Sequence, residues 1–230
     1  MVNILSVVDK KQSINRIRIA KRIVSELHEG AVTNLGVGIP SLIQNYLKPD
    51  SKVYLQSENG LLGMGPTPHK DEIDMNLISA SKQPISLGVG SSIFSSSDSF
   101  AMIRGGHVDI AVMGALQVSE TGEIANWAVP GKDILGVGGA MDLVASAKKI
   151  IIAMTHVTKE NTPKIVKKLT YPTSGIRTAD MIVTEKAVFR NEKGKLLLEE
   201  ISEDSSLDEI RKLTDASFTI SENLQTMRVE

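Results

Sequence analysis

Short apolar runs alternate with stretches of helical period along most of this chain, and the runs close on glycine-bearing turns. That rhythm restricts the fold more than any composition figure does. Strands separated by helices build a partly parallel sheet whose faces the helices cover. Ile17, Ala20, Ile23, Val24 and Leu27 fall at helical spacing and predict a helix over Arg16–Glu29, with Gly30 as its C-cap. Val32–Val37 reads as a strand closed by Gly36-Val37-Gly38-Ile39-Pro40. Pro40 then opens a helix over Ser41–Leu47, where its missing N–H leaves no bond unmade. Lys52–Gln56 is the next strand and ends at Ser57-Glu58-Asn59-Gly60.

The same reading continues with a strand near Ile85–Leu87, a helix near Ser99–Arg104 and a strand over Val108–Met113. Leu116–Ala128 is predicted as a hairpin turning at Thr121-Gly122. Gly138-Gly139 leads into a helix over Ala140–Ala147, and Ile150–Met154 is a fully apolar strand. Lys193–Glu200 reads as a strand pair and Leu207–Leu213 as a short helix. The expected architecture is α/β, a single domain with a mixed, partly parallel sheet flanked by helices. No repeat or low-complexity linker divides the 230 residues, which suffice for one sizeable core. The expected organisation is an N-terminal extension at 1–15, the domain at 16–220 and a loose polar tail at 221–230.

Charge and composition remove several function classes. A formal net charge of −1 draws neither nucleic acid nor anionic membrane. The chain has no cysteine, which excludes disulfides and thiolate chemistry and fits a reducing compartment. No apolar run approaches the roughly 20 residues that span a bilayer, and the start lacks a basic, hydrophobic leader. A cytoplasmic protein is expected. The four histidines, at 28, 69, 107 and 156, share no metal-ligand spacing, so no metal is expected and each histidine reads as structural or surface. No Walker A or serine-hydrolase elbow occurs, and the glycine clusters at 36, 60, 88 and 136 miss the dinucleotide spacing.

One carboxylate stands apart. In open α/β sheets ligands bind beyond the carboxyl ends of strands, and Glu58 lies just past one, inside Leu55-Gln56-Ser57-Glu58-Asn59-Gly60-Leu61-Leu62-Gly63. Spacing alone leaves two readings open, a turn or helix-capping residue and a reactive group. Ser221-Glu222-Asn223 repeats the tripeptide without the glycine or the apolar flank.

Gln56-Ser57-Glu58-Asn59-Gly60-Leu61-Leu62-Gly63-Met64-Gly65-Pro66 closely resembles the active-site signature of the family I coenzyme A transferases, in the second, or beta, subunit of the 3-oxoacid type. Asn34-Leu35-Gly36-Val37-Gly38-Ile39-Pro40, the stretch Asp98–His107, Ala125-Asn126-Trp127 and Gly138-Gly139-Ala140-Met141-Asp142-Leu143 resemble the same subunit in the same order. The likeness runs from about Arg16 to about Phe189. It departs at Gly88-Val89-Gly90-Ser91, where relatives carry a Pro-Gly turn, and this bears on pocket shape.

The resemblance implies the fold shared with phosphosugar isomerases and a CoA transfer between carboxylic acids. Glu58 is the implied catalytic residue, forming a glutamyl-CoA thioester, with Ser57, Asn59 and Gly60 as its motif neighbours. Gly138 and Gly139 are the implied backbone donors to the oxyanion or CoA thioester, Gly139 foremost. No bound cofactor is implied, since the acyl-CoA is a substrate. Arg104 and Lys132 are candidates for CoA phosphates or the acid, against a plain solvated-surface reading. The implied partner is a separate chain, the first (alpha) CoA-transferase subunit, in a heterodimer or heterotetramer. Acetoacetate with succinyl-CoA or acetyl-CoA is the favoured pairing, with butyrate and 3-oxoadipate open. The competing readings are an acyl-CoA hydrolase on this scaffold and a non-catalytic ligand-sensing module, which has no use for Ser57-Glu58-Asn59-Gly60.

Overall fold

The computed structural model describes residues 10–131 and 136–228. The chain runs through α1 (Lys10–Val24), β1 (Val32–Leu35), a 3-10 helix (Pro40–Asn45), β2 (Tyr54–Ser57), β3 (Leu61–Met64), β4 (Leu87–Ile93) and α2 (Ser96–Arg104). It continues through β5 (Ile110–Met113), β6 (Gln117–Ser119), β7 (Ile124–Ala125), α3 (Ala140–Ser146), β8 (Lys149–Ala153) and β9 (Ile165–Val166). The last elements are β10 (Met181–Val183), β11 (Ala187–Glu192), β12 (Lys195–Ser202), α4 (Leu207–Leu213) and β13 (Phe218–Met227).

Ten strands form one sheet in the order β13-β12-β11-β10-β8-β5-β1-β2-β3-β4, and β7-β6-β9 form a small second sheet. The centre of the large sheet, from β10 through β8, β5 and β1 to β2, is parallel throughout. Helices cover both of its faces, so β5, β8 and β10 are apolar on both sides. Ile150 and Ile152 of β8 enter one core with Ala111, Met113 and Ile182, while Ile151 and Ala153 enter the other with Ile110, Val112, Met181 and Val183. The period-two alternation of a strand thus divides each run between two buried faces. The α/β architecture expected from the sequence, with a mixed, partly parallel sheet flanked by helices, is the one observed.

Boundaries moved where apolar periodicity was a poor guide. α1 starts at Lys10, inside the segment read as an extension, because its first turns are polar and Ile14 is exposed. It ends at Val24 and not at Glu29. After it, Glu26 N–H and Leu27 N–H reach back three residues to the Ile23 and Val24 carbonyls, which tightens the chain into a turn. Its buried stripe is Ile19, Ala20 and Ile23. The strand expected at Ile85–Leu87 lies at β4 instead, through Gly88-Val89-Gly90-Ser91, an edge strand whose glycines hid it. Lys193–Glu200 is not a strand pair but the start of the single strand β12. It folds back on β11 through Lys193 and Gly194, both at positive φ, as a tight hairpin turn demands.

The expected loose tail is also corrected. Residues 221–227 belong to β13, which lies parallel to β12 at the sheet edge. Its side chains are mostly exposed and polar, so no alternation betrayed it, but Met227 is buried and pins its end in the core beneath α1.

Candidate active site

The parallel strands deliver their carboxyl ends to one edge of the sheet, and Glu58 is the first residue beyond β2. The turn that carries it is fixed from three sides. Ala80 N–H donates to Ser57 Oγ at 2.9 Å, and Asn59 Nδ2 donates to the Ile78 carbonyl at 2.8 Å. Gly60 N–H closes the turn onto the Ser57 carbonyl at 3.0 Å, and Phe94 N–H donates to the Gly60 carbonyl at 2.9 Å. Gly60 has φ +117°, and a Cβ there would sit 2.1 Å from the Phe94 carbonyl oxygen. No other residue fits that backbone. The turn runs straight into β3, a strand the sequence did not disclose, and Leu61 and Met64 are core residues.

Beneath the turn lies a buried polar relay that sequence reasoning missed. Asn34 Nδ2 on β1 donates to Gln56 Oε1 on β2, and Gln56 Nε2 donates to Ser99 Oγ on α2 at 2.7 Å. All three residues are buried. Removing one member strands a buried polar partner, which costs about 1–3 kcal/mol. The relay therefore locks β1, β2 and α2 into one register under Glu58.

α2 in turn carries Phe100 to Gly139, the N-cap of α3. A Cβ on Gly139 would lie 2.8 Å from Glu58 Oε2 and 3.0 Å from the Phe100 ring. Two sites distant in sequence, the Glu58 turn and the Gly138-Gly139 pair, thus meet. Gly138 holds a left-handed φ of +58°, which turns the chain into α3.

Arg104 does not stand free for an anion. It pairs with Asp142 at 2.8 Å and lies over the Phe100 ring, 5.4 Å from its centre, and so clamps α2 to α3. Lys132 falls outside the described residues.

A cavity of about 410 Å³ opens in front of Glu58. Its wall comes from the carboxyl ends of β1 and β5 (Leu35, Gly36, Met113, Gly114), from Gly138 and Gly139, and from Asn126 after β7. Burial raises the Glu58 pKa above its ordinary carboxylate value, and the Asp142 charge adds to the rise. A larger hollow of about 1040 Å³ lies between α1 and the start of β2. Its Arg22 and Lys52 are paired with Glu200 and Glu29, and no carboxylate there meets a glycine-lined helix start.

His156 is a core histidine, between the Thr184 and Thr214 hydroxyls and held neutral by burial, which lowers its pKa to about 4. Among the described residues no group of three His, Cys, Asp or Glu side chains converges to hold a metal. None of the described helices is long and apolar enough to cross a membrane.

Known proteins share both the sequence and the fold. The chain is 50% identical over 221 residues to the mouse mitochondrial succinyl-CoA:3-ketoacid coenzyme A transferase 2B, covering 95% of this chain and 42% of that protein. The chain thus spans less than half the length of that relative. It is 46% identical to the beta subunit of the acetate CoA-transferase of Escherichia coli K12, covering 92% of this chain and 96% of that one. An acyl-CoA transferase from E. coli O157:H7, solved as a thioester complex with CoA, superposes with a TM-score of 0.73 at 23% identity. That superposition covers 93% of this chain and 43% of the other. Residues 16–212 match the family described as coenzyme A transferase, and with this span and these identities the chain belongs to that family.

Proposed function

We propose that this chain is the nucleophile-bearing subunit of an enzyme that moves CoA from an acyl-CoA, such as succinyl-CoA or acetyl-CoA, to a carboxylic acid. The acid is a 3-oxoacid such as acetoacetate. The observation that carries the reading is the half-buried Glu58 carboxylate at a parallel-strand end, pressed against Gly139 in a largely apolar cavity. The names of the mouse and bacterial relatives support the same chemistry.

Glu58 attacks the thioester carbonyl carbon. The tetrahedral oxyanion collapses and expels the CoA thiolate, leaving an acyl-glutamyl anhydride. The thiolate attacks the Glu58 carbonyl carbon, the first carboxylate leaves, and a glutamyl-CoA thioester remains. A second carboxylate reverses these steps and departs with the CoA. No proton changes hands, so no histidine base is required. Partial desolvation, the cause of the raised pKa, strips water from the attacking carboxylate. Backbone N–H groups at Gly138-Gly139, by their position beside Glu58, are the oxyanion donors in this reading.

Two measurements test the proposal. The enzyme assembled with its partner chain is treated with acyl-CoA and no acceptor, then digested and mapped by mass spectrometry. CoA is expected on the peptide that contains Glu58, and its attachment elsewhere overturns the assignment. Acid-dependent transfer without loss of total CoA ester separates a transferase from a hydrolase.

Gly139→Val is expected to lower kcat roughly 100-fold or more while the protein stays folded. The new Cβ would stand 2.8 Å from Glu58 Oε2, closer than real Cβ contacts allow, so the flexible carboxylate yields and points away from the acyl carbon. Steady-state kinetics beside a circular dichroism spectrum would check this. An unchanged kcat in a folded variant moves the donors elsewhere.

A further inference from the structure

Among the described residues that line the cavity in front of Glu58, only Glu58 and Asn126 carry polar side chains. The others among these described residues are aliphatic residues, methionine and glycine, and none of them is a cation. Asn126 is held in one orientation by Ser174. The Asn126 backbone N–H donates to Ser174 Oγ at 2.9 Å, and the hydroxyl spends its one hydrogen on Asn126 Oδ1 at 2.6 Å. Ser174 is buried and itself fixed, its N–H donating to the Ile124 carbonyl at 2.8 Å. Oδ1 therefore faces Ser174, and Nδ2 is left with no hydrogen-bond partner among the described residues. Nδ2 is thus left free to donate to an oxygen that enters the cavity Asn126 lines.

Position says which oxygen. Leu116 N–H donates to the Ala125 carbonyl at 2.8 Å, which ties Asn126 to the chain leaving β5. Glu58 leaves β2, and β1 lies between the two strands. Their ends stand about 9–10 Å apart at ordinary strand spacing. The carbon attacked by Glu58 must come within about 3–3.5 Å of its carboxylate, so its own oxygen belongs near Gly139. The amide on the far wall meets an oxygen further along the acyl chain. We infer that Asn126 Nδ2 donates a hydrogen bond to the 3-oxo oxygen of the acid and thereby selects 3-oxoacids over plain fatty acids. The inference rests on Glu58 being the nucleophile.

The test uses the enzyme assembled with its partner, charged as the CoA thioester with succinyl-CoA. Acetoacetate and butyrate, of equal chain length and differing in the oxo group, then compete as acceptors. Asn126→Ala is expected to lower kcat/KM for acetoacetate roughly 10- to 100-fold and to change that for butyrate by less than about threefold. Equal losses with both acids, or an unchanged ratio, overturn the assignment. Ser174→Ala frees the amide without removing it and is expected to erode the same ratio. If Asn126→Ala does not fold, an unchanged ratio in Ser174→Ala is decisive against the inference. Absence of CoA on wild-type Glu58 overturns the nucleophile and this role together, whereas a charged Glu58 with an unchanged ratio overturns the Asn126 role alone.

Discussion

Glu58→Ala is expected to abolish transfer in the assembled enzyme, and Glu58→Asp to lower kcat roughly 100-fold or more. Aspartate withdraws the carboxylate by about the length of one methylene, and the turn has no freedom to follow it. Ser57 is held by Ala80, Asn59 by Ile78, and Gly60 sits in a backbone conformation that packs directly on the Phe94 carbonyl. Glu58→Gln keeps the shape and loses the charge, so it separates position from nucleophilicity. Its stability should move in the opposite direction to its activity. Burial first, and the Asp142 charge second, raise the folded pKa of Glu58, so the folded protein holds that proton more tightly than the unfolded chain. The stabilising protonated form is present below the unfolded value and is lost as pH rises through the folded one. At neutral pH the ionised carboxylate therefore weakens the fold, and Glu58→Gln is expected to raise Tm while its kcat falls to background. By the same shift, the acid limb of kcat/KM should lie above the ordinary carboxylate range. Wild-type turnover in a folded Glu58→Ala protein would remove Glu58 from the mechanism.

The heart of the parallel sheet was legible because β5, β8 and β10 are buried on both faces and are written almost wholly in Ile, Val, Met and Ala. The edges were not. β4 carries two glycines and exposed side chains, and β13 is polar along most of its length, so backbone pairing holds both without a hydrophobic pattern. Glu58 stood out through the resemblance of Gln56–Pro66 to a family signature, since its spacing alone left a turn or capping residue equally open. Its surroundings depend on contacts distant in sequence. Nothing in Gln56 alone announces a bond to Ser99, 43 positions later. The approach of Gly139 to Glu58 exists only once α2 and α3 have packed together. Asn126 appeared in the sequence merely as part of a shared motif. Its oriented amide needed Ser174, 48 positions away, before it acquired chemical meaning.

This chain without its partner is expected to show no acyl transfer between succinyl-CoA and acetoacetate, and full turnover is expected once the partner is added. The cavity supplies the physical reason. Its rim residue Val37 is 69% exposed, and Met141, two residues beyond Gly139, is 51% exposed. An anhydride formed at Glu58 would meet water from that side faster than the thiolate could return, because enclosure is what protects such an intermediate. The CoA body must also bind firmly to drive anhydride formation. The hollow that faces Glu58 measures about 410 Å³, and its described lining residues offer no cation to the phosphates. Both deficits are met by a second surface closing over the apolar rim, which accords with a bacterial relative named as one subunit of a larger enzyme and with mammalian relatives more than twice as long. A heterodimer is the smallest assembly that provides it, and a heterotetramer is the expected outcome where two such dimers pair by two-fold symmetry. Size-exclusion chromatography with light scattering would report the assembly, and a titration of partner into a fixed amount of this chain would report the turnover. Activity that rises with added partner and saturates near equimolar amounts supports the two-chain site. Undiminished turnover by the chain alone, purified free of any companion, would show that the Glu58 cavity is already closed.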